Sequence, residues 1–171
     1  MTASPEPVAP ADAGEPEAEP GAYDAEPGGR AVLVERFASF PERLAEAARA
    51  AAGRPVPAGE WAPVEVVRHL MAVEGEVWLS RLATLAAAGE PHWSWVEPGP
   101  RPGFENASLD DVLGLFGRLR ASTVDFLGMF DDAAWARTGV HATFGRLDVA
   151  GLLRLAVDHD EEHVSGLLPA D

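Results

Sequence analysis

The stretch 156-AVDHDEEHVSGL-167 holds two histidines, His159 and His163, four residues apart, with acids at 158, 160, 161 and 162. On a helix this spacing brings the two β carbons within about 5–6 Å of each other, so both imidazoles can aim at one metal ion. The pair alone is not specific, because hydrogen-bonded or surface histidines satisfy the same spacing. The string HDEEH also invites comparison with the zinc-protease H-E-x-x-H helix, whose glutamate acts as general base. Here Asp160 stands at that position, one methylene shorter, and the sequence holds no histidine after His163. A third ligand has to come from upstream, where His69, His92 and His141 are the candidates.

The elements that carry these residues follow from helical periodicity. Asp148 is placed to cap a final helix reaching about Leu168. At about 100° per residue, His159 and His163 fall beside Leu152 and Ala156 on the apolar arc. Asp160 also points inward, whereas Asp158, Glu161 and Glu162 take the solvent side. A second helix starts at Pro63 and runs to about Ala88, with Val66, Leu70, Val73 and Val77 as its stripe. His69 flanks that stripe, and Glu76 shares the same side. His92 and His141 sit in connections, which fix ligands less rigidly; His141 is the better reserve because its loop leads into the final helix.

Two further helices complete the expected framework. Residues 30–53 place Leu33, Phe37, Phe40, Leu44 and Ala48 on one face, with Pro41 as a kink or restart. Ser108 with Asp111 caps a third helix through about Phe130. Residues 89–107, holding His92, Trp93 and Trp95, read as an irregular connection that serves either as a pocket wall or as a surface crossover. No strand pattern or internal repeat stands out, so the prediction is an all-α, antiparallel four-helix bundle over residues 30–171.

Composition narrows the chemistry. Thirteen basic against 28 acidic side chains give a net charge of -15, which repels phosphate backbones and anionic lipid and argues against nucleic acid as a partner. There is no cysteine, so a nucleophile has to come from water, another side chain or a substrate. Residues 1–29 carry seven acids and no Lys or Arg among many prolines and glycines, a composition expected to form a disordered tail. That segment does not read as a signal peptide, and no stretch reaches the ~18 apolar residues of a membrane span, so a soluble, cytoplasmic protein is expected.

Four segments, taken in order, carry a resemblance: 61-WAPVEVVRHLMAVEGEVWLSRL-82; Phe116 with Arg120; Trp135 followed by 139-GVHATFG-145; and 158-DHDEEH-163. Over about residues 30 to 168 the sequence is similar to the DinB/YfiT-like superfamily of four-helix metalloproteins. The resemblance implies a four-helix bundle, often dimeric, in which one histidine of the second helix and two of the fourth hold a divalent metal, usually zinc or nickel. His69, His159 and His163 match those positions one by one. Ala62 departs from the family's common serine helix cap, which bears on local helix stability. Superfamily members include thiol-dependent transferases and isomerases, hydrolases and proteins of no known activity, so fold and metal transfer more firmly than reaction.

Three histidines leave zinc an open coordination position. The first functional reading is a transferase that activates a low-molecular-weight thiol for attack on a small electrophile. In the second, water is the nucleophile of a metal-dependent hydrolase, with Asp160 or Glu76 as acid or base; Asp160 has the competing role of orienting an imidazole or meeting an arginine. The third reading is a non-catalytic metal-binding stress protein, its site closed by Trp61, Trp78 or Trp93. Trp61 and Trp93 are candidates for substrate contact against a core-packing role, and Arg120 for holding a substrate carboxylate against a structural ion pair.

Overall fold

The computed structural model describes residues 27–87 and 89–168. The tail reading for residues 1–26 lies outside them, and residues 27–29 already belong to a helix. That helix, α1, spans Pro27–Ala51 and buries Phe37, Phe40, Leu44 and Ala48 on one face. Pro41 sits inside it without ending it. Helix α2 (Pro63–Val73), a π-helical segment (Glu74–Leu79) and α3 (Ser80–Ala86) follow one another without a break. Pro63 occupies the first turn of α2, where a missing N–H costs nothing. With alanine at the cap, the Ala62 N–H donates to Glu65 Oε2 at 2.8 Å, so one half of a capping box survives the loss of the serine.

Helix α4 (Leu109–Leu127) begins at Ser108, whose hydroxyl accepts from the Asp111 N–H while Asp111 accepts the Ser108 N–H. A short helix, α5 (Asp132–Trp135), precedes the last helix, α6 (Val149–Leu167), whose cap Asp148 accepts from Gly151 N at 2.7 Å. Helix α1 packs on α6, α4 and α2, and α2 packs on α4 and α6, giving a four-helix bundle. None of the helices among the described residues is long and apolar enough to cross a membrane.

A small sheet differs from the sequence expectation. Strands β1 (His92–Trp93), β2 (Thr138–His141) and β3 (Gly145–Asp148) lie in that order, β1 parallel to β2 and β2 antiparallel to β3. Two-residue and four-residue strands are too short to show a period of two, so residue patterning could not announce them. They are held by long-range backbone bonds, Val140 N to Pro91 O (2.8 Å) and Ala142 N to Trp93 O (2.9 Å). The sheet pins the 89–107 connection to the segment that enters α6.

Among the described residues, the core holds a charged cluster centred on Arg120. Arg120 of α4 is 1% exposed and lies over the Phe37 ring at 3.7 Å. It donates from Nε to Glu74 Oε2 and from Nη1 to Asp160 Oδ2, each at 2.9 Å, and from Nη1 to the Phe37 carbonyl at 2.8 Å. The guanidinium thus ties α1, α4, the π segment and α6 together.

Candidate metal centre

His69 projects from α2 and is fully buried. Its Nδ1 is 2.5 Å from the Pro98 carbonyl oxygen, which can only accept, so Nδ1 carries the proton and Nε2 presents a lone pair. On α6, His159 and His163 bring their Nε2 atoms to 3.2 Å from each other. The His69 ring lies 4.6 Å from that of His163 and 5.4 Å from that of His159. The i, i+4 spacing and the packing of α2 against α6 are sufficient to bring the three rings together.

A fourth group arrives that the sequence reading did not single out. Glu97, in the 89–107 connection, places Oε1 3.3 Å from His69 Nε2 and 3.9 Å from His159 Nε2. One donor atom from each of His69, Glu97, His159 and His163 lies within 4.8 Å of every other. The available signal was indirect: an acid in a tryptophan-rich connection already read as a possible pocket wall. Pro98, next in sequence, supplies the carbonyl that orients His69, so two adjacent residues serve the cluster.

The donor set fits a divalent ion. His69 Nε2 is buried and has no hydrogen-bond partner, a costly arrangement for a polar nitrogen unless a cation takes its lone pair. Bonds of 2.0–2.1 Å on a tetrahedral zinc put neighbouring donors about 3.4 Å apart, close to the His159–His163 and His69–Glu97 separations. Burial, with the charges of His163, His69 and Arg120 adding, pushes the His159 imidazole down to about 3. Burial and the His69 charge push His163 down to about 4. Both rings are therefore neutral at physiological pH, the protonation state a metal ligand needs.

The other predicted residues take different places. His92 is exposed on β1. His141 is buried, but its Nδ1 accepts from the backbone N–H groups of Thr143 (3.0 Å) and Phe144 (3.3 Å), turning it to its own hairpin and not to the cluster. Glu76 is exposed, whereas Glu74, two residues earlier, is buried in the core. Asp160 faces inward but is engaged by Arg120, and Arg120 in turn is enclosed by Glu74 and Asp160 and does not line a ligand cavity. Burial, reinforced by Glu74 and opposed by Arg120, pushes the Asp160 carboxyl up to about 7.

The tryptophans divide similarly. Trp61 sits 4.8 Å from His69 and is 39% exposed, forming with His163 the wall of one surface groove. Trp78 stands edge-on to His159 at 5.8 Å. Trp93 packs against Gly139 and donates to Thr84 Oγ1 at 3.1 Å, so its role lies in the sheet. Trp95 takes the cavity position instead, beside Trp78 and His159. Glu161, expected in solvent, receives both ends of the Arg43 guanidinium at 2.6 and 2.5 Å.

The model of the DinB superfamily matches residues 28–165. The chain belongs to the DinB superfamily. Among solved structures, this DinB-superfamily chain is similar to YfiT from Bacillus subtilis, described as a probable metal-dependent hydrolase with an unusual four-helix bundle topology. The match has a TM-score of 0.67 at 18% identity and covers 85% of this chain and 87% of YfiT. No curated protein matches the chain.

Proposed function

We propose that this DinB-superfamily protein is a divalent-metal-dependent enzyme acting on a small molecule, with the ion held by His69, His159 and His163 and with Glu97 as the acid-base group beside it. The observation that carries this reading is the convergence of three imidazole nitrogens and one carboxylate oxygen within 4.8 Å. A divalent ion such as zinc or nickel, when bound, would make water or a thiol a competent nucleophile near neutral pH. Pro98 fixes the tautomer of His69, and burial keeps His159 and His163 neutral. Glu97 lies on a connection whose carboxylate is half exposed, so it can exchange a proton with solvent and accept one from a nucleophile held at the cluster. That arrangement supports the hydrolytic reading, in keeping with the description of YfiT.

A second observation favours the thiol reading on the same site. The cluster is reached from two sides, through a cavity lined by His159 and through a groove lined by His163 and Trp61. A reaction between a low-molecular-weight thiol and an electrophile uses two approaches, whereas hydrolysis needs only one besides water. The two readings separate in one assay. Zinc- or nickel-loaded full-length protein is offered a panel of esters, amides and halogenated electrophiles, with and without cellular thiols. Turnover without thiol identifies a hydrolase, and turnover only with thiol identifies a transferase. In either case Glu97→Gln should retain the metal and lose about 10²–10⁴-fold in kcat; wild-type activity in Glu97→Gln removes its acid-base role, and no turnover under any condition refutes the enzyme.

A further inference from the structure

Beside the histidine cluster lies a cavity of about 160 Å³, a volume close to the ~150 Å³ that admits a benzene ring. Its walls include Trp78, Trp95 and Phe144, with His159 at the cluster side. Arg81 also lines it, although the residue is only 7% exposed. This guanidinium donates to the Ser94 carbonyl at 2.8 Å and lies 5.8 Å from the rings of Trp78 and Trp93. Among the described residues, no carboxylate approaches Arg81 within ion-pair distance. Burial lowers its pKa, with no acid opposing the shift. A buried arginine without a counter-charge is costly unless something completes it.

Two further donors in this region lack acceptors. The indole nitrogen of Trp78 is buried with no hydrogen-bond partner, and indole nitrogen can only donate. His141 accepts two backbone N–H groups on Nδ1, which leaves its proton on Nε2, and that nitrogen too is buried and unpartnered. The His141 ring packs on Phe144 and Trp95, two walls of the cavity, and Arg81 is close enough for its charge to act on it. The acids that line the cavity, Glu97, Asp158 and Glu162, belong to the cluster and to the neighbouring turns of α6. The Trp78 and His141 nitrogens are closed off from open space, so of these donors it is Arg81 that lines the cavity.

We propose that this cavity binds a small, single-ring organic acid, its carboxylate received by Arg81 and its ring held between the aromatic walls. A carboxylate supplies the counter-charge that the buried guanidinium lacks, and a charge-assisted bond formed away from water is the strong kind. Trp78 contacts both Arg81 and His159, so a ligand lying along this indole spans from the guanidinium to the cluster. This specificity rests on the cluster being the reaction centre only in the matter of which end of the ligand reacts; recognition of the acid by Arg81 does not need the metal.

Benzoate is the probe, titrated by calorimetry into full-length protein, both chelator-treated and zinc-loaded, with benzyl alcohol as the neutral comparison. Benzoate should bind both forms, and at least about tenfold more tightly than benzyl alcohol. Arg81→Met should weaken benzoate by about tenfold or more, with Arg81→Lys intermediate, while zinc stoichiometry stays unchanged. Circular dichroism establishes that each variant is folded; if Arg81→Met is not, Arg81→Lys decides. Equal affinity for benzoate in wild type and variants, binding that requires zinc and ignores Arg81, or no binding at all overturns the proposal. Arg81-dependent binding to a protein that takes up no zinc would leave this pocket standing and remove the metal-enzyme reading.

Discussion

Arg120 holds two buried carboxylates, and neither Glu74 Oε1 nor Asp160 Oδ1 has another hydrogen-bond partner. Removing one member of such a group leaves uncompensated charge in the core, at a cost of about 3–5 kcal/mol. Arg120→Met should therefore lose that much in urea unfolding; a loss under about 1 kcal/mol would mean the three residues are not coupled as described. The histidines give a second prediction, for metal-free protein. His159 and His163 titrate near 6.5 when unfolded but at about 3 and 4 when folded, so between pH 6.5 and 4 the unfolded chain binds up to two more protons at these sites. Asp160 acts in the opposite sense, because its folded carboxyl, raised from 3.8 to about 7, holds one proton more than the unfolded one across the same window. Two protons outweigh one, so their combined contribution to stability falls as pH drops from 6.5 towards 4. The contrast is read by melting metal-free wild type and a double His159→Leu, His163→Leu variant across that range. Wild type should lose more stability on acidification than the variant, and an equal loss would show that the imidazoles are not held neutral by the fold.

The three-strand sheet does positioning that the helices alone do not. Gly139 faces the Trp93 ring so closely that an added β carbon would lie 2.5 Å from Cη2. Gly139→Ala should cost about 1–3 kcal/mol and weaken zinc binding, because β1 anchors the connection that carries Glu97 and Pro98. Unchanged melting and zinc affinity in this variant would detach the sheet from the site. The helices were legible in the sequence because their signals are local: the apolar stripe of α1, the Ser108–Asp111 box and the Asp148 cap each act within a few residues. His159 and His163 were legible for the same reason, being one turn apart on a single face. Glu97 was not, since its approach to His69 depends on strand pairing between segments 48 residues apart, His92 with Val140 and Trp93 with His141. Glu74 lies about 40° from Leu70 on the α2 stripe by ordinary helical counting, but its buried role rests on Arg120, 46 residues away on α4.

At the scale of the molecule, the site exists only when the bundle is assembled. His69 comes from α2 and the histidine pair from α6, more than half the sequence away, and the two helices meet in the packed fold. The Arg120 cluster ties α4 and α6 to the π segment directly behind α2. An ion that bridges α2 and α6 therefore binds the folded chain and stabilises it, by about 2.7 kcal/mol at a free concentration one hundred times its dissociation constant. Zinc or nickel should accordingly raise the unfolding temperature of the wild type. The most direct test is native mass spectrometry of full-length wild type beside His69→Ala, His159→Ala and His163→Ala, each incubated with zinc and with nickel. One ion per wild-type chain, and its loss in all three variants, is the predicted result. An ion retained in His69→Ala, or none in the wild type, contradicts the three-histidine site.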